Sequence, residues 1–173
     1  LIQQGWSIKS LIKEIMLSEV YRFDSEYQNA DAQLSDPENH FLWRGNRRAL
    51  DVEVLRDTML TVAGTIDENS GGASLPGNFR SEFGYQFTTR KRSVYVPVFR
   101  NSGHEMFSLF DFANPNFTVG KRGQSAVPTQ ALYLLNSEEI HRYASEASSR
   151  LLQSEDQTLD ALINQAFQLS LSR

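Results

Sequence analysis

Four groups of basic side chains carry the most obvious chemistry in this sequence: Arg44, Arg47 and Arg48; Arg90, Lys91 and Arg92; Arg100; and Lys121 with Arg122. A guanidinium presents its N–H groups as a rigid fork that matches carboxylate, sulfate or phosphate. Loops that brought these groups together would make an anion pocket, with Arg47, Arg48, Arg92, Arg100 and Arg122 as candidate ligands and Gln130 as a neutral companion. The same residues have a structural use, as bridges to Asp51, Asp57, Glu105 and Asp111 that pin long loops. Asp51, Asp111 and Asn136 are read as such a network. Arg92 and Arg122 are expected to share one pocket or network near Asp111.

Other candidates are thinner. His104, Glu105 and Asp111 have the side chains of a metal site or an acid–base pair, but their spacing matches no ligand motif. Gly123-Gln124-Ser125-Ala126 lacks the second glycine of a nucleophile elbow. Gly71-Gly72 has neither the lysine of a P-loop nor a strand before it. Thr129 and Gln130 at a helix start, and Asn136 at its end, suit backbone capping, or hydrogen bonding to a sugar ring. No catalytic constellation and no metal or cofactor set is read in this segment. Cysteine is absent, which excludes disulfides, thiolate nucleophiles and haem attachment through a C-x-x-C-H motif.

The elements that must position these residues are mostly helices. Ser7 opens a run in which Ile8, Leu11, Ile12 and Ile15 recur at helical spacing, and Ser18 to Tyr21 adds a short turn. Residues 22–35 lack a period and read as loop. Asp36-Pro37-Glu38 has the form of a helix start, with a capping carboxylate and then a proline where the missing N–H costs nothing. Asp51 to Ala63 is a stronger helix with Val52, Leu55, Met59 and Val62 on its stripe and Gly64 as its stop. Residues 65–86 form a long glycine-rich loop. Ser93 to Phe99 reads as an edge strand because of Pro97, with Tyr85 to Thr89 as a hairpin mate. His104 to Phe110 has room for one or two helical turns. Pro128 opens a helix to Leu135, Ser137 caps a longer one, and residues 154–158 restart the pattern for a last helix through Phe167.

Composition sets the outer limits. The apolar fraction of 40% and charged fraction of 22% belong to a globular domain. A net charge of -4 argues against duplex nucleic acid as a partner. There is no apolar run long enough to span a membrane. The chain begins with Leu1 and ends on residues that still read as helix, so it is expected to be one domain cut from a longer protein.

Three ordered motifs resemble one family: Arg92-Ser93-Val94-Tyr95; Phe110-Asp111-Phe112-Ala113-Asn114-Pro115-Asn116; and Val127-Pro128-Thr129-Gln130-Ala131-Leu132-Tyr133-Leu134-Leu135-Asn136. Trp43-Arg44, Arg47-Arg48-Ala49-Leu50-Asp51, Leu55-Arg56-Asp57 and Ala166-Phe167 fit as well. The family is the planctomycete domain of unknown function number fifteen fifty-three, the C-terminal part of planctomycete cytochrome c-associated proteins. The sequence departs from it where Val96-Pro97-Val98 stands in place of a tryptophan. The resemblance implies a large secreted or envelope-associated parent, with haem c on an upstream segment, and a sulfatase-like protein encoded nearby. It supplies no catalytic residues.

The expected fold is mainly α, a compact bundle of about five or six helices with a small β-hairpin and long ordered loops. The expected function is a non-catalytic binding or docking module of an extracytoplasmic cytochrome c-associated protein. Its partners would be an anionic glycan, a protein such as the sulfatase-like neighbour, or the upstream domains of its own parent. The alternatives are part of an enzyme whose site the upstream domain completes, and a purely architectural C-terminal cap.

Overall fold

The computed structural model describes residues 1–69, 71–153 and 158–171. They fall into two units, Leu1–Ala49 and Leu50–Arg173. Among the described residues there are seven α-helices and no sheet, and the protein is mainly helical.

In the first unit, α1 (Ile8–Leu17) starts where the Ser7 hydroxyl accepts from the Ser10 N–H. The apolar stripe of α1 lies largely on the surface. A second helix, α2 (Ala30–Ser35), lies inside the stretch read as loop. Six residues are too few to show a period; its signal is the Asn29 side chain, which accepts from Ala32 N–H at 3.0 Å. Asp36-Pro37-Glu38 opens no helix. Asp36 ends α2, and its carboxylate takes the N–H groups of His40 and Phe41. Asn39 then turns left-handed at φ 58°, which stops helical propagation. Gly45 is required by proximity: a Cβ there would come within 2.5 Å of the Phe23 carbonyl oxygen.

The second unit is built on α3 (Val52–Ala63), against which α4 (Glu105–Leu109), α6 (Glu138–Leu151) and α7 (Leu159–Leu171) pack, with α5 (Pro128–Asn136) bridging α4 and α6. Pro128 occupies the first turn of α5 and Gly64 ends α3 with φ 71°, as their types require. Residues 154–157, where the helical pattern is expected to restart, lie outside the described residues. One core cluster is Val52, Val96, Met106, Phe107 and Tyr133; the other is Leu60, Ala63 and Tyr143.

The buried face of α3 is Val52, Arg56, Leu60 and Ala63, so a charged side chain occupies the centre of the inner stripe. The Arg56 guanidinium is fully buried and donates to the carbonyls of Thr89 and Lys91 and to the Ser93 hydroxyl. Ser93 N–H in turn donates to Asp57 Oδ1 at 2.7 Å. These bonds explain why the expected hairpin is not seen. The polar groups of residues 89–93 that a strand partner would use are taken by α3. Ser93–Tyr95 then closes into a 3₁₀ turn, Pro97 offers no N–H, and only an isolated parallel bridge joins Asp67 to Lys91.

Arg56→Met strands two carbonyls and a hydroxyl, and is expected to cost about 2–4 kcal/mol by denaturant unfolding. Arg56→Lys keeps the charge without the fork and is expected to lose a smaller but measurable part.

Candidate functional site

Most of the arginines singled out above are spent on neighbours. Arg122 holds Glu53 through two bonds of 2.6 and 2.8 Å and lies 4.9 Å over the Phe112 ring. Arg92 lies 3.6 Å from Asp57. Glu53 and Asp57 are one helical turn apart on α3, so the two arginines anchor to neighbouring positions of that helix. Arg90 grips Glu146 and Thr65. The guanidinium partners hold the Glu53 and Glu146 carboxyls below the usual range. In the first unit Arg47 pairs with Glu26 at 2.9 Å, and Arg48 is not free either.

The neutral candidates are also bonded to the backbone. Gln130 donates to the Leu109 carbonyl at 3.0 Å and accepts from Val127 N–H, and Asn136 donates to the Leu132 carbonyl. Asp111 adopts φ 58° just past α4, and its carboxylate accepts from Ser125 N–H at 2.6 Å and from the Ser125 hydroxyl. The carboxylate expected to gather Arg92 and Arg122 is thus occupied by a backbone amide, and those arginines bind α3 instead. Asp51 has a partner as well.

Arg44 lies 4.8 Å over the Trp43 ring and has no carboxylate partner among the described residues, and neither has Arg100. No side chain among the described residues pairs with its guanidinium. It borders a cavity of about 370 Å³ whose wall includes Asn101, Ser108, Phe112, Asn114 and Asn116 and contains no carboxylate.

His104 separates this cavity from a larger groove of about 750 Å³ and lines both. The ring stands at the start of α4, 6% exposed, between Phe87 and Phe107 at centroid distances of 5.0 and 4.9 Å. Neither ring nitrogen has a hydrogen-bond partner, and Nε2 lies 3.7 Å from Glu139 Oε2. Burial lowers the imidazole pKa below its ordinary 6.5; Glu139 opposes the shift and Arg56 adds to it. The ring is therefore neutral at pH 7. Glu139 also accepts from Tyr133 at 3.2 Å and from Tyr143 at 2.5 Å. Burial pushes both phenols up to about 12, so they stay protonated as donors. Glu105 neighbours His104 while Asp111 is tied to Ser125, so the suggested trio forms no common centre. No group of three metal-ligating side chains occurs among the described residues.

The family model for the Protein of unknown function (DUF1553) matches residues 1–173. The chain belongs to this family. No curated protein and no solved structure matches it.

Four residues of this DUF1553 site escape the sequence reading. Glu139 reads as one of two acids in the first turn of a helix, Tyr143 as part of that helix's apolar stripe, and Tyr133 and Arg56 only as members of the family motifs. The available signal was the i,i+4 spacing of Glu139 and Tyr143, which puts a phenol beside a carboxylate on one helix face.

Because the unfolded chain takes up a proton at His104 near pH 6.5 and the folded domain resists it, stability falls as the pH drops below that value, down to the depressed folded pKa. His104→Phe, which keeps the ring stack, is expected to flatten this decline between about pH 7 and pH 5, read as melting temperature against pH.

Proposed function

We propose that this DUF1553 domain is a non-catalytic binding module that holds an anionic group in the cavity beside Arg100. The carrying observation is the contrast among the arginines. Among the described residues Arg47, Arg92 and Arg122 have carboxylate partners, whereas Arg100 has none and is one of the residues lining a cavity without an acid in its wall. A cavity with an arginine, several amides and a hydroxyl in its wall suits a carboxylate or sulfate. The volume fits a single small acid or one acidic sugar of a longer glycan. In keeping with the family resemblance, the parent is an extracytoplasmic cytochrome c-associated protein with its haem on another segment, and a sulfatase-like protein is a candidate partner.

A second reading, docking against a neighbouring domain of the parent, is supported by the first unit. Ile2, Trp6 and Ile8 there are 74%, 67% and 67% exposed, large apolar side chains close in sequence that a neighbouring domain could cover. Trp6 fluorescence is expected to shift to the blue when the upstream region is restored, and an unchanged spectrum counts against docking through this face.

The anion reading is tested by calorimetric titration of acetate, sulfate and glucuronate. Arg100→Ala is expected to weaken binding by roughly 10–100-fold, the worth of a charge-assisted hydrogen bond. Arg122→Ala is expected to lower stability while leaving affinity near that of the unaltered domain. Equal affinity in Arg100→Ala, or no binding by the unaltered domain, overturns the reading.

A further inference from the structure

Carboxylates set into the helix packing of the second unit are matched by arginines, with one exception. Glu53, Asp57 and Glu146 each lie within 4.0 Å of a guanidinium. Glu139 is covered more deeply than any of them, its side chain 15% exposed, yet no arginine or lysine reaches it among the described residues. Two phenol O–H groups and a neutral imidazole surround it instead. These neighbours fix the carboxylate in place without a cation in contact with it, and Arg90 acts on it only through space.

This carboxylate lines the larger groove. The wall adds Glu105 and Glu138 and only one cation, Arg142, so it is negative before anything enters. His104 supplies an independent sign of an absent partner: the side chain is buried in the same wall, and both ring nitrogens lack a hydrogen bond. Its Nε2 lies 3.7 Å from Glu139 Oε2, so the ring and the carboxylate meet in the same wall. Phe87 and Tyr133 contribute ring faces, which attract a positive charge through their quadrupoles. Acceptors, negative charge and aromatic surface select together for a cationic donor carried on an apolar stem. An anion is repelled here, and a neutral polyol brings Glu139 no cation.

We infer that the groove walled by α4, α5 and α6 is a binding site for an organic cation, a primary ammonium group seated on Glu139. The site is separate from the anion cavity and does not depend on the reading given to Arg100.

n-Butylammonium chloride is the probe, titrated calorimetrically at constant ionic strength against n-butanol as its neutral counterpart. Saturable binding of the ammonium and none of the alcohol is expected. Glu139→Gln, which preserves the phenol contacts in outline, is expected to weaken binding by about tenfold or more. Arg100→Ala is expected to leave it unchanged, which separates this site from the anion cavity. If Glu139→Gln proves unfolded by circular dichroism, the double variant Glu105→Gln, Glu138→Gln on the exposed rim serves instead, with a loss of about two- to fivefold. As a second measurement, Tyr133 ring resonances of the unaltered domain are expected to shift on titration. No saturable binding, equal binding of butanol, full affinity in a folded Glu139→Gln or in the rim variant, or unmoved Tyr133 resonances overturns the inference.

Discussion

The second unit depends on a guanidinium placed where an aliphatic side chain would ordinarily sit. Arg56 takes the middle position of the inner stripe of α3 and reaches across to residues 89–93, which no regular secondary structure holds. A buried charge is costly by itself. Here it is distributed over carbonyl and hydroxyl acceptors, each of which would otherwise be short of a donor inside the protein. The helix supplies the donors that a neighbouring strand would have supplied. The irregular segment is thereby fixed in the core as firmly as a sheet edge would be, and Val96 and Phe87, which follow and precede it, can pack against the helices.

From that anchor the chemistry of the domain follows a rule of charge matching. Arg122, Arg92 and Arg90 fasten successive loops to carboxylates on α3 and α6. Matched pairs make good fasteners and poor binding sites, because a ligand would have to displace a partner already in place. Two charges without an oppositely charged partner in contact among the described residues are Arg100, in the wall of one cavity, and Glu139, in the wall of the other. They lie in cavities of opposite character that share an aromatic wall, and the neutral imidazole in that wall keeps each side from cancelling the other.

The helices were legible where local chemistry sets them. Ser7, Gly64 and Pro128 stand at the boundaries their types favour, and the mainly helical fold follows from the spacing around them. Boundaries that rest on tertiary contacts were not legible. Asp36-Pro37 has the composition of a helix start but serves a turn, because Asn39 leaves the right-handed region. The tyrosine and valine content of residues 93–99 suggests a strand, and only the bonds from Arg56 and Asp57 reveal the alternative. For the site, the sequence shows that arginines are plentiful. Which one stands without a partner is decided by residues distant in the chain, such as Glu53 for Arg122 and Glu146 for Arg90, and spacing carries no information about that.

The bonds of Arg90 to Thr65 and of Asp67 N–H to the Arg90 carbonyl hold together the two ends of the glycine-rich stretch between them. With its ends fixed, the stretch is thermodynamically a closed loop, and lengthening it costs only about 0.6 kcal/mol per doubling. Residues 72–77, which precede the contacts of Phe79 with Phe99 and of Glu82 with Asn101, therefore mark a place where related chains can gain or lose whole segments while the walls of both cavities stay in position. Variation in length within the family should collect there, leaving the helices nearly constant in size.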